Sequence, residues 1–330
     1  MADVYAKSGG AWRTATDVYG KSGGVWRSAT DVYGKDSGGT WRGGSIGGGG
    51  GGGGSGAPQI AYTVAGTYYW TCPSGVTSVS VVCIGAGGTG GAYGGSGGSL
   101  AYKNNISVSP GTTYTIIVGA TNSQNYSSPY NFVAGDSSAF GTVAKGGRGG
   151  YSGSSASSYQ SIGSNYDGGG RGGLASADFY QSGVGYREGA GGGAGGYSGD
   201  GGHAGKGNCT GTTAISDSNR APSPGSGGGG GGGTPSDSGY PGHACGGGGT
   251  GIFGQGSNGA AGVYSSNVGS TGGGGGSGGG TGGNPYGGQY GGGSGGIGSG
   301  TPSSTAQCGA VRIIWPGNVR YFPSTRTADE

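Results

Sequence analysis

From residue 146 to residue 300 the chain runs repeatedly into glycine. Blocks at 146–150, 168–173, 189–207, 225–233, 246–262, 269–283 and 287–300 alternate with polar segments such as YSGSSASSYQSIGSNYD, LASADFYQSGVGYRE, NCTGTTAISDSNRAPSP and TPSDSGYPGHAC. Glycine offers no side chain to bury and loses the most backbone freedom on ordering, about 1–2 kcal/mol per residue. With 100 glycines in 330 residues, such a chain cannot be assembled around an ordinary apolar core. Leucine occurs only at Leu100 and Leu174 and methionine only at Met1, so no apolar stripe of helical spacing can be drawn. The sequence predicts almost no α-helix.

Two physical states are open to the glycine blocks. Left unpaired they form a flexible coil. Ordered, they depend on main-chain hydrogen bonds alone. A threefold extended helix of the polyproline II type makes no internal hydrogen bonds, so its N–H and C=O groups are free to pair with neighbouring helices. Packing of that kind requires inward positions without Cβ, and each N–H···O bond adds about 0.5–1.5 kcal/mol net. Strict G-X-Y periodicity is absent, which excludes collagen, and the expectation is a bundle of polyglycine II helices over 146–307.

Around that insertion the text is that of strands. QIAYTVAG, TYYWTCP, TSVSVVCIGA, SLAYKNNISVSPGTTYTIIVGA, GTVAKGG and GAVRIIWPG alternate apolar and polar positions, clearest at Val79, Val81 and Cys83 and at Tyr114, Ile116 and Val118, with SPGTTY as a turn signal. They predict an all-β domain, a small sandwich of six to eight strands built from 58–145 and 308–318, with 319–330 as a C-terminal tail. Between two of these strands, at 85–99, lies a further glycine-rich stretch, GAGGTGGAYGGSGGS.

The N-terminal 44 residues are a repeat: DVYAKSGGAWRTAT, DVYGKSGGVWRSAT and DVYGKDSGGTWRGG. Each unit reads as two short strands joined by a Ser-Gly-Gly turn, hence three β-hairpins. The aromatic pairs Tyr5/Trp12, Tyr19/Trp26 and Tyr33/Trp41 are too few per unit to bury themselves, so these six residues are expected to fasten the chain to a partner protein or to stack among themselves. Residues 45–57 read as a Gly/Ser linker.

The alternation of glycine islands with Tyr-rich polar segments resembles the glycine-rich tip adhesins of the long tail fibres of T-even-like bacteriophages. The DVYGKSGGVWR repeats and the frame from YYWTCPSGVTSVSVVCIGAGG to GAVRIIWPG are similar to segments of phage tail-fibre and other virion proteins. The resemblance implies a virion protein, exposed on the particle, whose glycine bundle presents receptor-binding loops. Attachment to other fibre proteins is expected through residues 1–44, and a homo-oligomer is possible. This chain departs from the compact tip adhesins in its length and its inserted topology.

Tyr, Ser, Asn and Gly are also the residues of antibody loops, since Tyr supplies rigid amphipathic area and Ser and Asn adaptable hydrogen bonds. Candidate contacts to a host-surface glycan or outer-membrane protein are Tyr126, Tyr130, Tyr159, Tyr166, Phe179, Tyr180, Tyr186, Asp217, Asn219, Arg220, Tyr240, Tyr264, Tyr286 and Tyr290; the bland alternative is that they cover the bundle. Counting one pass per glycine block sends 151–167, 208–224 and 263–268 to the end away from the sheet. A reversal near residues 197–200, inside the longest block, would invert the later assignments.

Other function classes find little support. A net charge of +3 gives no basic face for nucleic acid or an anionic membrane, and RGG at Arg42, Arg148 and Arg171 comes without a basic excess. GAGGTG at Gly85, Gly87 and Gly90 matches a dinucleotide fingerprint, yet no helix pattern follows it and no acidic residue stands about 20 positions on. Cys72, Cys83, Cys209, Cys245 and Cys308 lack CxxC spacing and read as buried free thiols; with His203 and His243 the only histidines, no metal or cofactor is expected. No run approaches 18 apolar residues and no leader pattern opens the chain, so neither a membrane span nor secretion is expected. No nucleophile–base arrangement stands out, and an enzyme is not expected. The reading is a phage adhesin; the alternative is a virion structural or decoration protein that binds no receptor, and a glycine-rich ice-binding or matrix protein would have no need of the N-terminal repeats.

Overall fold

The computed structural model describes residues 58–91, 94–122, 133–150, 161–176, 189–205, 222–233, 245–262, 272–283, 285–296 and 305–323, together with the backbone of the strands within 5–45 and of 179–181 and 185–187. Among the described residues there is no helix. The chain divides into two compact units, Met1–Ile60 with the last two residues, and Ala61–Ala328.

The first unit is three antiparallel hairpins, β1 (Tyr5–Ser8) with β2 (Ala11–Thr14), β3 (Tyr19–Ser22) with β4 (Val25–Ser28), and β5 (Asp31–Lys35) with β6 (Trp41–Ser45). Their registers are equivalent. Lys7 stands opposite Trp12, Lys21 opposite Trp26 and Lys35 opposite Trp41, while Ala6, Gly20 and Gly34 stand opposite Arg13, Arg27 and Arg42. The Lys–Trp register is kept in the third repeat despite its extra residue.

The second unit contains two five-stranded sheets. The strands are β7 (Gln59–Tyr62), β8 (Gly66–Thr71), β9 (Ser78–Ile84), β10 (Leu100–Ser107), β11 (Thr113–Val118), β12 (Ser137–Ala139), β13 (Thr142–Ala144), β14 (Gly163–Ser164), β15 (Gly168–Gly170), the separate hairpin β16 (Phe179–Gln181) and β17 (Gly185–Arg187), and β18 (Ala310–Ile314). Sheet one runs β15-β10-β9-β18-β7 and sheet two β14-β13-β12-β11-β8. The segments read from the sequence account for seven of the ten strands in these sheets, β7 to β11, β13 and β18; β12 lies just ahead of GTVAKGG, and β14 and β15, both short, come from the insertion.

The sheets pack face to face, β12 and β13 against β9, and β11 and β12 against β18. Between them lie Val79, Val81 and Cys83, with Ile116, Val118 and Ala139, all essentially inaccessible. Trp70 closes one end, its ring 5.6 Å from that of Phe140, 5.7 Å from Trp315 and 6.0 Å from Tyr114. The other face of sheet one is buried too. Val82, Ile84, Leu100, Ala310 and Ile314 form a cluster with Tyr197 and Ile252 from the insertion and Phe322 from the C-terminal segment. Sheet one is therefore the middle of three layers, which explains why β18 and all but the first residue of β9 are buried on both faces.

Past the ends of the strands the sheets become a hydrogen-bonded glycine bundle. Gly85 donates to Ser99, as a sheet neighbour would, but Ala86 donates to Gly135 and Gly87 to Gln307. Gly88 then returns to the first neighbour, at Ser96. The same period of three governs 94–99: Gly94 and Gly97 donate to Ser176 and Gly173, Gly95 and Gly98 to Ser294 and Gly291, Ser96 and Ser99 to Arg148 and Lys145. It recurs at 191–196, where Gly191 and Ala194 donate to Cys245 and Gly248, Gly192 and Gly195 to Gly95 and Gly98, Gly193 and Gly196 to Gly202 and Gly199. Donors that revisit the same neighbour every third residue define a threefold helix, and three separate neighbours per helix define a bundle.

Side-chain size explains why this is possible only here. A Cβ on Gly97 would overlap the carbonyl of Gly193, and one on Gly193 the carbonyl of Gly229. Where a methyl does fit, the sequence has alanine: Ala86, Ala190, Ala194 and Ala204 are all fully buried. Residues 85–91 and 94–99 belong to this bundle as fully as the insertion does. Sandwich and bundle both lie within the second compact unit.

Candidate functional site

Five of the seven glycine blocks do not make a single pass. They reverse in mid-block on the side of sheet one, at 197–199, 226–228, 252–254, 277–278 and 289–291. Four of the reversals carry a glycine in the left-handed region, Gly227 (φ 66°), Gly254 (112°), Gly278 (79°) and Gly291 (75°), a conformation that L side chains rarely adopt. Non-glycine residues mark the same places: Tyr197 and Ser198, Ile252 and Phe253, Ser277, Gln289 and Tyr290. Several of them fasten the reversals. The Tyr197 hydroxyl donates to Gly251 O at 3.1 Å and accepts from Gly254 N at 3.2 Å, Ser277 Oγ donates to Gly227 O at 2.6 Å, and buried Arg312 donates to Ile252 O at 3.2 Å while its guanidinium lies 4.8 Å from the Phe253 ring centre.

Because these five blocks are double passes, the polar segments between them start from one shared end. The residues that bracket them bond to one another in a single layer. Gly91 donates to Gly150, Gly94 to Ser176, Gly296 to Gly189, Gly287 to Thr305, Cys245 to Gly233, Gly205 to Gly232, Gly262 to Gly231 and Gly246 to Gly283. Short polar side chains complete the pairing there. Asn122 Oδ1 accepts from Thr89 N at 2.8 Å, Ser294 Oγ from Gly90 N at 2.7 Å, and Ser176 Oγ from Ala190 N at 2.6 Å. His203 Nδ1 accepts from Leu174 N at 3.1 Å, which leaves this nitrogen in its unprotonated, accepting form.

The one-pass count is thereby corrected. Segments 177–188, 206–221, 234–244, 263–271 and 297–304 all have both stems in this layer, the first and third of them against expectation. Segment 151–160 differs: it begins at Gly150 in the layer but its far stem returns to the sheet side, where Ile162 accepts from Lys145 N.

The candidate contact residues divide accordingly. Tyr126, Tyr130, Tyr159, Asp217, Asn219, Arg220, Tyr240 and Tyr264 lie outside the described residues. Phe179, Tyr180 and Tyr186 belong to the β16–β17 hairpin, rooted between Ser176 and Gly189, with Tyr180 opposite Tyr186 and Phe179 opposite Arg187. Tyr286 stands beside the layer and is 48 % exposed. Tyr166 is exposed but sits between β14 and β15, on the sandwich rather than the loop-bearing end. Tyr290 is half-buried against the sheet-one cluster; burial pushes its hydroxyl pKa up, partly offset by a hydrogen bond with Thr63. It holds a reversal. The aromatic pairs of the N-terminal repeats lie on the hairpin strands in the equivalent registers given above.

Among the described residues no group of three or more His, Cys, Asp or Glu side chains is placed to hold a metal ion, and no helix is long and apolar enough to cross a membrane. Cys72, Cys83, Cys245 and Cys308 are free thiols, the first three buried. No protein-family model matches the chain and no curated protein matches its sequence.

Proposed function

We propose that the chain is a bacteriophage tail-fibre adhesin that binds a host-surface receptor, a glycan or an outer-membrane protein, through the loop segments carried at one end of the glycine bundle. The observation that carries this reading is the convergence of the loop stems. Segments rich in Tyr, Ser and Asn start from a scaffold held by main-chain hydrogen bonds between its glycine helices, an arrangement of adaptable loops on a stiff support. The hairpin repeats of residues 1–44 supply attachment to other virion proteins, and the protein is exposed on the particle.

The test is adsorption. Purified full-length chain is expected to bind bacterial cells that the parent particle infects and to reduce adsorption of that particle in proportion to its occupancy. The paired change Tyr180→Ala with Tyr186→Ala is expected to weaken both effects without altering thermal unfolding. A well-folded chain that neither binds such cells nor competes would reject the adhesin reading and leave a structural virion protein.

A further inference from the structure

Among the described residues, strand β8 is an edge with none of the usual protection. It is the outermost strand of sheet two, and its register with β11 is unbroken from Gly66↔Val118 to Thr71↔Thr113. The next pair fixes the phase of the ladder, since Cys72 N donates to Thr112 O at 2.9 Å. Even-numbered residues of β8 therefore bond to β11, and the N–H and C=O groups of Thr67, Tyr69 and Thr71 point outward. The close approach of the Thr71 and Thr113 hydroxyls, 3.0 Å apart, is that of a non-hydrogen-bonded pair and agrees.

Edge strands ordinarily carry lysine, proline, a bulge or an inward charge that discourages pairing. Here there is none of these. Residues 59–102 contain no charged side chain. Tyr69 is 72 % exposed and Val64, in the turn leading into β8, 67 %, the most exposed large apolar side chain among the described residues and one that ties for second.

The outward-facing set reads Thr67, Tyr69, Thr71, and is symmetric about its centre. We infer that β8 pairs with β8 of a second copy of this chain, antiparallel about a two-fold axis through Tyr69. That operation sets Thr67 opposite Thr71 of the second copy and Tyr69 opposite Tyr69, each pair exchanging main-chain hydrogen bonds. Tyr68 falls opposite Trp70 in the close pairs between them. An isologous contact of this kind closes at two copies and joins the two second sheets into one of ten strands. The absence of charge gives a differently charged partner nothing to select, whereas the symmetry suits a copy of the same strand.

Sedimentation velocity of the full chain over a range of concentrations tests this, with Tyr69→Lys, Tyr69→Phe and Thr115→Lys alongside. Thr115 is opposite Tyr69 on the exposed face but one strand in from the edge. The expected result is a dimer retained by Tyr69→Phe and Thr115→Lys and lost in Tyr69→Lys. A chain monomeric throughout, a dimer that survives Tyr69→Lys, or one lost equally in Thr115→Lys would overturn edge pairing. Should Tyr69→Lys fail to fold, a photo-crosslinking amino acid at position 69 decides: cross-links to 67–71 of a second copy support the pairing, and cross-links elsewhere or none reject it. Neither result bears on receptor binding.

Discussion

The amide of Ala86 donates to the carbonyl of Gly135 at 3.1 Å, across a gap that two residues earlier, at Ile84, separates a strand of one sheet from the other. Facing sheets stand about 10 Å apart because side chains fill the space between them. Cys83 is the last β9 side chain between the sheets; the next position on that face, Gly85, has none, lies where a Cβ would overlap the Lys145 carbonyl, and lets the two sheets merge into one three-way hydrogen-bonded array. The glycine stretch after β9 is thus the means by which a sandwich becomes a bundle.

Close approach makes the interior intolerant of a single methyl group. Gly97→Ala is expected to destabilise the unit by about 1–3 kcal/mol, because the new Cβ meets the main-chain carbonyl of Gly193 and not a side chain that could turn aside. Gly283→Ala is the control. Its Cβ would lie 3.7 Å from the nearest atom, and the change is expected to stay within about 0.5 kcal/mol. Urea unfolding of the two variants measures the difference.

Tyr197 joins bundle to sheet, stacking on Phe322 with ring centres 6.0 Å apart and bonding to both Gly251 and Gly254. Truncation by Tyr197→Ala is expected to cost about 3–5 kcal/mol through the cavity it leaves. Tyr197→Phe, which removes only the hydroxyl and strands the Gly254 amide, is expected to cost about 1–3 kcal/mol. Equilibrium denaturation that ranked the two in the opposite order would contradict this division.

Burial pushes the Cys83 thiol from its ordinary 9.0 up to about 12. Between those values the unfolded chain releases this proton and the folded chain keeps it, so stability is at its full value below pH 9 and falls as pH rises towards 12. Cys83→Ala is expected to flatten this part of the pH–stability profile. In the native chain at pH 8, Cys83 and Cys245 are expected to resist a thiol reagent that modifies half-exposed Cys308, as peptide mapping would report.

Hydrogen exchange reads the bundle directly. The amides of Gly97, Gly193 and Gly248, each bonded to a neighbouring helix, are expected to exchange on the slow timescale of the β9 and β10 amides despite lying in glycine text. Uptake within seconds across 94–99 and 189–196 would show that the array does not persist in solution.

The strands were legible because β9 and β11 alternate: Val79, Val81 and Cys83, and Ile116 and Val118, face one core as the period of two requires. The hairpin repeats were legible from a fixed spacing around Ser-Gly-Gly. The second burial of sheet one was not, since Val82 and Ile84 find their partners at Tyr197 and Ile252, more than 100 residues away. The reversals inside the glycine blocks carried a signal in the scattered Tyr197, Phe253 and Tyr290, which reads equally well as loop decoration until the folded chain turns these rings onto the sheet.

The sequence by itself determined the manner of cohesion: glycine in such quantity leaves only the main chain to hold the insertion, and alternation elsewhere dictates strands. Which segments share an end, and which tyrosines face the core, was decided only by tertiary structure. A glycine main chain is nearly the same at every position, so the direction of each pass depends on which neighbours it meets, and those neighbours are remote in sequence.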